Sequence, residues 1–387
     1  MKGKFTRLVL ENWRNFKKVD VALGERVFVV GANASGKSNL LDVFRFLQEL
    51  AVDGGGLTNA LDRSNRGGFR AVRSLHAGQN SAVRILVEAE IDGVAWSYDL
   101  KLQATGTSRR AGPAVVEKEV VLEGGERKLN RPDASDKKDS ELLFATALEQ
   151  RSANSEFRPL RDFLRSLDYI HLVPQLVRQP KAEDQTRFGK GLGTGLIEAI
   201  WLTGKQERTR RLKRIERGLR HVLPQFESLE VEPDSAGRPH LRAKYKHWRR
   251  SGGWQEESAF SDGTLRLVGL LWYLSGGNSP LLLEEPEMSL HPAAVRQIPR
   301  ILADLNTSTG RQILMSSHSP ELLGDRGIDP SEVLLLRASK DATDVTVGSD
   351  EPSLVEAAEA DLPLGPYLEA LTRPANWSEL AQFGSAG

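Results

Sequence analysis

The stretch GANASGKS, residues 31–38, decides how the rest of the sequence is interpreted. It satisfies the pattern G-x-x-x-x-G-K-[ST] and lies between an apolar run, RVFVVG, and a segment with apolar residues at helical spacing, KSNLLDVFRFLQELA. These patterns predict a buried strand, a glycine-rich turn and a helix, the context in which this loop binds phosphate. Backbone N–H groups and the roughly half positive charge of a helix N-terminus form a cradle for an anion. The sequence therefore predicts a nucleotide-binding loop, which alone does not distinguish a kinase from an ATPase or a GTPase.

Two side chains of this loop have expected roles. Lys37 is expected to reach the β- and γ-phosphates, and the Ser38 hydroxyl to ligate Mg²⁺. The alternative is a chance glycine turn before a helix, and the flanking strand and helix patterns count against it. The candidate nucleotide-binding segment comprises Gly31, Ala32, Asn33, Ala34, Ser35, Gly36, Lys37, Ser38 and Asn39.

The composition excludes several classes of protein. The 387 residues include no cysteine, so disulfides, thiolate zinc sites and thiol catalysis are excluded. The N-terminus is polar, and nowhere do about 18 apolar residues follow one another, so neither a signal peptide nor a membrane span is indicated. We therefore expect a soluble, cytoplasmic protein with no membrane partner. The net charge of +1 conceals a basic region at residues 205–250 and an acidic tail from residue 341.

A second candidate site lies in the stretch LLLEEPEMSLHP, residues 281–292. A buried strand delivers its last residues to the carboxyl edge of a sheet, where ligands bind in open α/β sheets. Mg²⁺ on a triphosphate needs a hard oxygen ligand, and hydrolysis needs a base that orients water. Glu284 is the candidate metal-side carboxylate and Glu285 the candidate base, whereas Glu287 has no assigned chemistry. Without the phosphate loop, a strand running into a solvated turn would be the better interpretation.

The stretch AFSDGTLRLVGLLW, residues 259–272, predicts a helix that begins after a serine and a glycine. Its exposed N–H groups would form a second anion site. The alternative is an ordinary capped helix, since Ser261 or Asp262 is a suitable N-cap.

The patterns along the chain predict four parts. Residues 1–175 form a nucleotide-binding lobe with the phosphate loop and antiparallel hairpins, and residues 176–260 an inserted basic helical subdomain. Residues 261–340 complete the nucleotide-binding head, and 341–387 form the acidic tail. Residues 130–140 are expected to be a mobile polar loop. In the basic helix, roughly 205–222, charged residues at helical spacing could follow a phosphate backbone. The alternative is a solvated helix whose apolar side packs on the head. These sets are Lys205, Arg208, Arg211 and Arg214, and Leu212, Ile215, Leu219 and Val222.

Taken in order, these motifs resemble those of ABC-type ATPases of the RecF, Rad50 and SMC group, and more closely the ATPase part of OLD-family proteins. The resemblance implies an α/β fold: a P-loop NTPase head with a mixed sheet, an antiparallel β meander and an inserted helical subdomain. It also implies roles for particular residues. These are Gln175 in the glutamine loop near the metal, Ser261, Asp262 and Gly263 as the signature, Glu284 and Glu285 as the carboxylates, Met288–His291 as the dimer loop, His318 as the switch histidine, and Arg14 beside the adenine.

The resemblance further implies ATP and Mg²⁺ as ligands and a head-to-tail homodimer that encloses two ATP molecules. Two positions depart from the family pattern: Glu284 replaces an aspartate, which predicts slow hydrolysis, and Asp262 replaces a glycine of the transporter signature. The carboxylate pattern of a Toprim nuclease domain is missing. We therefore expect an ATPase that controls a separately encoded effector, a nuclease, or acts on DNA or RNA, in anti-phage defence. The alternatives are a nucleotide-gated scaffold and a RecF-like DNA repair ATPase with slow or negligible hydrolysis.

Overall fold

The computed structural model of the chain describes residues 2–63, 66–74, 76–77, 82–107, 110–178, 193–246 and 253–373. Part of the predicted basic region, including Arg249 and Arg250, and residues 374–387 of the predicted tail lie outside these ranges. No helix in the described ranges combines the length and apolar character needed to cross a bilayer.

The strands are β1 (Gly3–Trp13), β2 (Phe16–Ala22), β3 (Arg26–Gly31), β4 (Val83–Ile91), β5 (Val94–Thr107), β6 (Arg110–Glu123), β7 (Glu126–Arg131), β8 (Asp168–Ile170), β9 (Phe226–Pro233), β10 (Pro239–Tyr245), β11 (Trp254–Glu256), β12 (Leu281–Glu284), β13 (Ile313–Ser317), β14 (Val333–Ala338) and β15 (Thr343–Val347). The helices are α1 (Lys37–Ala51), α2 (Phe69–Val72), α3 (Ala134–Lys138), α4 (Arg158–Ser166), α5 (Pro174–Val177), α6 (Leu196–Leu202), α7 (Lys205–Val222), α8 (Asp262–Leu274), α9 (Pro292–Val295), α10 (Ile298–Thr309), α11 (Pro320–Leu323), α12 (Pro352–Glu359) and α13 (Gly365–Thr372).

A mixed six-stranded sheet positions the candidate site. Its strand order is β15-β14-β3-β13-β12-β8, and every neighbouring pair is parallel except β14 and β15. The central strands read as continuous apolar runs because both faces are buried. The carboxyl ends of β3, β12 and β13 meet at one edge. The fold therefore brings residues 31–38, the carboxylates after β12 and His318 together, as strand order in an open sheet requires.

A second six-stranded sheet, wholly antiparallel, has the order β2-β1-β4-β5-β6-β7. It packs on the other side of α1, with Phe5 against Phe44 and Trp13 against Phe46 at ring-centroid distances of 4.7 and 5.4 Å. Residues of both sheets and of α1 belong to one hydrophobic core. The helix that carries the phosphate loop is therefore held between two sheets.

The segment between the two halves of the head contains more than helices. Besides α6 and α7 it has a three-stranded antiparallel sheet, β11-β10-β9, in which β9 and β10 form a hairpin. The apolar side of α7 packs into the core of this sheet through Leu212, Ile215 and Leu219, as predicted. Val222 is 39% exposed, so its predicted burial is wrong. Because α8 contributes to the same core, a domain division at residue 260 stays a prediction.

Two sequence interpretations are corrected by the structure. The predicted mobile loop at 130–140 contains the end of β7 and α3, because buried Arg131 binds Glu119 and Asp136 and Asp133 caps the helix. The predicted acidic tail contains β15, α12 and α13 within the described ranges. Its helices pack on the mixed sheet through Leu354, Ala357, Leu364 and Leu368. The acidic residues of these helices lie on their solvent-facing sides. The composition of the segment therefore did not indicate that its helices also have an apolar side.

Candidate functional site

The phosphate loop connects the end of β3 to the start of α1. Ala34 and Gly36 have positive φ angles of 63° and 99°, which turn the chain into the helix. Lys37 is only 6% exposed, and its Nζ donates to the carbonyl oxygens of Gly31 and Ala32 at 3.0 and 3.2 Å. Burial lowers the pKa of Lys37, against the opposing effect of the carboxylate of Glu285. The ammonium group is therefore folded over its own loop, next to a carboxylate.

Asn15 forms hydrogen bonds to the phosphate loop and to the start of α1, and the sequence patterns did not predict this role. Its Nδ2 donates to the Ser35 carbonyl at 2.9 Å and to Thr343 Oγ1 at 2.7 Å. Its Oδ1 accepts from Asn39 Nδ2 at 2.7 Å. A Cβ at position 36 would collide with the Asn15 amide, so the loop needs glycine both for its φ angle and for this contact. The only sequence signal was the position of Asn15 beside Arg14 in LENWRNF.

Arg14 lies on the turn between β1 and β2 with φ of 49°. Its Nη2 donates to Asp42 Oδ2 of α1 at 2.8 Å, and its backbone N–H donates to the Val72 carbonyl. Asp42 also binds the buried Arg66. The structure thus places Arg14 against α1, and its predicted position beside an adenine stays a prediction.

Glu284 ends β12 and accepts a hydrogen bond from the hydroxyl of Tyr169 in β8. Burial raises the pKa of Tyr169, so this tyrosine keeps its proton and remains a donor. Ser38, at the start of α1, is exposed. A serine hydroxyl and a carboxylate are hard oxygen ligands of the kind Mg²⁺ prefers, so the donor set fits the metal. Among the described residues, no three His, Asp or Glu side chains cluster into a metal site of their own.

Glu285 lies between Lys37 and His318. Its Oε1 is 3.8 Å from Lys37 Nζ and 3.2 Å from His318 Nδ1. Its φ of 42° is left-handed, and its N–H donates to the Ser316 carbonyl at 3.1 Å. A left-handed conformation is uncommon for a residue with a side chain and occurs often at functional sites. Three side chains predicted separately from the sequence therefore meet at one point.

Glu287 contacts the backbone at His318, and no role was predicted for it. It is 7% exposed, and its Oε1 accepts from Ser317 Oγ at 2.6 Å and from the His318 N–H at 3.3 Å. Burial raises its pKa. The third carboxylate of LLLEEPE therefore holds the backbone that carries His318. The pattern itself, a third glutamate just past a proline, was the only available signal.

The signature segment begins α8, and each of its residues has a contact within the same chain. Ser261 is the N-cap, accepting from the Thr264 N–H at 3.2 Å, so the capped-helix interpretation describes the local structure. Asp262 accepts from Gln175 Nε2 at 3.2 Å and from Arg178 Nη2 at 2.7 Å. The structure thus joins Gln175 to the signature, and its predicted place near the metal stays a prediction.

Comparison with known structures shows the fold. An SMC head bound to the C-winged helix domain of ScpA is similar, with a TM-score of 0.50, 13% identity, and 88% of this chain and 96% of that chain covered. An SMC head domain with an extended coiled coil, bound to the C-terminal domain of ScpA derived from Pyrococcus furiosus, gives a TM-score of 0.53, 12% identity, and coverage of 92% and 100%. The predicted α/β fold, a P-loop ABC-ATPase head, is therefore confirmed.

Comparison with protein families supports the same class. No curated protein matches the chain. Residues 26–324 match the family described as "AAA domain, putative AbiEii toxin, Type IV TA system". The predicted likeness to an ABC-type and SMC-like ATPase is confirmed at this level, and the closer likeness to OLD-family proteins stays a prediction. Because the matched residues, from β3 to α11, make up most of the sequence, the chain belongs to this AAA-domain family.

Proposed function

We propose that this chain binds ATP with Mg²⁺ and hydrolyses it to ADP and phosphate. The observation that carries the proposal is the meeting of Lys37, Glu285 and His318 at the carboxyl edge of the mixed sheet. A buried cation stabilises the phosphates, a carboxylate orients and deprotonates water, and an imidazole donates to the transferred phosphoryl group. Family membership and the head fold support the same chemistry.

Each residue has a defined task in this reaction. The backbone N–H groups of residues 31–38 cradle the phosphates, and Lys37 exchanges the carbonyls of its own loop for phosphate oxygens. Mg²⁺ would be held by Ser38 and, directly or through water, by Glu284, and it would neutralise charge on the phosphates. Glu285 accepts the proton of the attacking water, and His318 binds the phosphoryl oxygen from the opposite side.

We propose that the active form is a homodimer that encloses two ATP molecules. One chain supplies one phosphate loop and one signature segment, so a site that needs both takes them from opposite subunits. Ser261 and Gly263 of one subunit would then contact the γ-phosphate held by Lys37 of its partner. Met288 in the dimer loop is 40% exposed, which suits a residue that is covered only in the dimer.

The output of the dimer is proposed to be control of a separately encoded effector, a nuclease, in anti-phage defence. The description of the family as a putative toxin of a toxin–antitoxin system supports a role of this kind. The similar SMC heads are described as bound to domains of ScpA, which supports a surface for a partner protein. The test is whether the tagged chain, expressed together with its neighbouring genes, retains the product of one of them. Failure to retain any would count against this part of the proposal.

Contact with DNA or RNA is proposed for α7, through a stripe that differs from the predicted one. Arg208 stacks on Trp201, and Arg211 stacks on Trp272 at 3.6 Å from the ring centroid, so both are turned inward. Arg210 is paired with Glu207. The exposed stripe of α7, defined as Lys213, Arg214 and Arg217, has no carboxylate partner among the described residues. These cations are free to bind phosphates.

The catalytic proposal is tested with Glu285→Gln, which keeps the shape of the side chain and removes the base. Phosphate release is expected to fall by about 10²–10⁴-fold while ATP binding is retained. Glu356→Gln, at an exposed glutamate of α12, is the matched control and should leave turnover unchanged. Light scattering of Glu285→Gln with ATP should give the mass of a dimer. Absence of turnover in the wild-type protein, or normal turnover in Glu285→Gln, would refute the proposal.

A nucleotide-gated scaffold with negligible hydrolysis is the second candidate. The hydrogen bond of Glu284 to Tyr169 favours it, because this bond occupies a carboxylate that would otherwise face the metal. The two candidates differ in one measurement. A scaffold forms a dimer with ATP and Mg²⁺ that persists for hours without phosphate release, whereas an ATPase loses its dimer as ATP is consumed.

A further inference from the structure

Arg266, one turn into α8, is a buried cation with an unusual set of contacts. It is 5% exposed, and its Nη1 donates to the backbone carbonyl of Glu285 at 3.4 Å. Its Nε is buried without a hydrogen-bond partner among the described residues. Burial lowers its pKa, against the opposing charges of Asp262, Glu287 and Glu285. Burying a guanidinium costs free energy of desolvation. Its position between α8 and the loop that follows β12 therefore calls for an explanation.

The loop that follows β12 is strained at two points, and α8 contacts it at both. Glu285 and Ser289 have left-handed φ angles of 42° and 61°, which cost free energy for residues with a Cβ. The carbonyl of Glu285 accepts from Arg266. The carbonyl of Ser289 lies close to Gly263: a Cβ added to Gly263 would be 2.6 Å from the carbonyl oxygen of Ser289. Such conformations persist only where the surroundings fix them.

The two sides of the Glu285 backbone are therefore held by different parts of the head. Its N–H donates to Ser316 at the end of β13, in the sheet that also carries the phosphate loop. Its carbonyl is held by the helix whose first residues form the signature. A displacement of α8 would act on the carbonyl contact and leave the N–H contact in place, so it would change the backbone torsion of the residue that carries the base.

We propose that Arg266 is a positioning residue that makes the placement of Glu285 depend on the seating of the signature helix of the same subunit. The inference rests on the proposed dimer and assigns an additional role to α8. When the signature of one subunit contacts the nucleotide of its partner, Arg266 transmits the resulting position of α8 to the base of its own site. The two sites of the dimer are then linked through each subunit.

The test uses the full chain with Arg266→Met, which keeps the length of the side chain, and Arg266→Lys, which restores a cation. In Arg266→Met we expect kcat to fall about 10- to 100-fold, with KM for ATP within about 3-fold of wild type. Because binding survives and hydrolysis does not, the ATP-bound dimer should persist in light scattering. Arg266→Lys should recover part of kcat.

Arg211→Met is the matched control, since Arg211 is a half-buried arginine that contacts the opposite end of α8 through Ser275 Oγ at 3.0 Å. It should lower the melting temperature and leave kcat within about 2-fold, because it does not touch the loop after β12. If Arg266→Met does not fold, the inference is tested with Arg266→Lys by the same measurements of kcat, KM for ATP and dimer mass.

Three results would overturn the inference. One is a kcat of Arg266→Met, or of Arg266→Lys where only that variant folds, within about 2-fold of wild type. Another is an equal loss of kcat, ATP binding and dimer, since this would mean that Arg266 only stabilises α8. The third is a wild-type protein without turnover or dimer, which would refute the proposed function itself and remove this inference with it.

Discussion

The packing of Gly36 against Asn15 leads to a prediction whose magnitude follows from the structure. Gly36→Ala places a side chain at φ 99°, which costs about 1–2 kcal/mol. The new Cβ also displaces the Asn15 amide, which makes hydrogen bonds to Ser35, Thr343 and Asn39. At about 0.5–1.5 kcal/mol each, these three bonds contribute about 1.5–4.5 kcal/mol. The single substitution should therefore lower the free energy of unfolding by about 2.5–6.5 kcal/mol.

The second part of the prediction uses Asn15→Ala, which removes the obstructing amide. In that background Gly36→Ala should cost only the backbone term of about 1–2 kcal/mol. The four proteins form a double-mutant cycle, read by urea unfolding, with an expected coupling of at least about 1.5 kcal/mol. ATP affinity, measured by calorimetry, should fall in every variant that moves the loop. Equal costs of Gly36→Ala in the two backgrounds would refute the assigned contact.

Three other predictions concern separate parts of the molecule. Burial raises the pKa of Glu149 to about 7, so the folded state binds a proton that the unfolded state releases and stability falls as pH rises from about 4.5 to 7. Glu149→Gln should raise the free energy of unfolding at pH 8 by about 1–3 kcal/mol with little effect at pH 4, and equal effects at both pH values would contradict this. Tyr169→Phe frees Glu284 and should lower the Mg²⁺ concentration for half-maximal turnover by about 2- to 10-fold. Tyr98→Phe removes a similar bond to Glu119, at 2.9 Å, and should leave that concentration unchanged, so a shift in both variants or in neither would argue against Glu284 as the metal-side carboxylate. Glutamine at all three positions of the exposed stripe of α7 should reduce the slope of log K against log salt for DNA or RNA by about 3. The same change at Arg208 and Arg211 should have a much smaller effect, and an unchanged slope in the first variant would exclude the stripe.

The local features of this chain could be predicted from the sequence because they depend on neighbouring residues. An apolar run before GANASGKS and a helical pattern after it define the strand, the loop and α1. The meeting of Lys37 and Glu285 followed from the rule that parallel strands bring their carboxyl ends to one edge, whereas His318 was assigned from the family resemblance. Their pairing distances did not, since rotamers and the left-handed turn at Glu285 set them.

The contacts that could not be predicted join residues that the sequence keeps far apart. Gln175 and Asp262 are separated by 87 positions, and Asn15 and Thr343 by 328. The stripe predicted on α7 was only partly correct: Lys205 and Arg214 are exposed, whereas Arg208 and Arg211 lie against tryptophan rings. Cations surround much of that helix, and Arg211 turns inward because the Trp272 ring and the Ser275 hydroxyl of α8 lie beside it. Periodicity gives the angular spacing of side chains but not which aromatic ring lies beside the helix.

Asn15 and Thr343 also constrain when during synthesis the phosphate loop acquires its final support. The Asn15 carbonyl accepts from the Thr343 N–H at 2.8 Å, and its amide donates to the Thr343 hydroxyl, so a strand near the far end of the chain closes on the turn beside the loop. A ribosome makes residue 15 first and residue 343 long afterwards. A nascent chain therefore carries the complete GANASGKS motif for most of translation without this brace. Nucleotide can therefore stabilise the fully braced loop only after residue 343 has been made and has folded back onto the turn at Asn15.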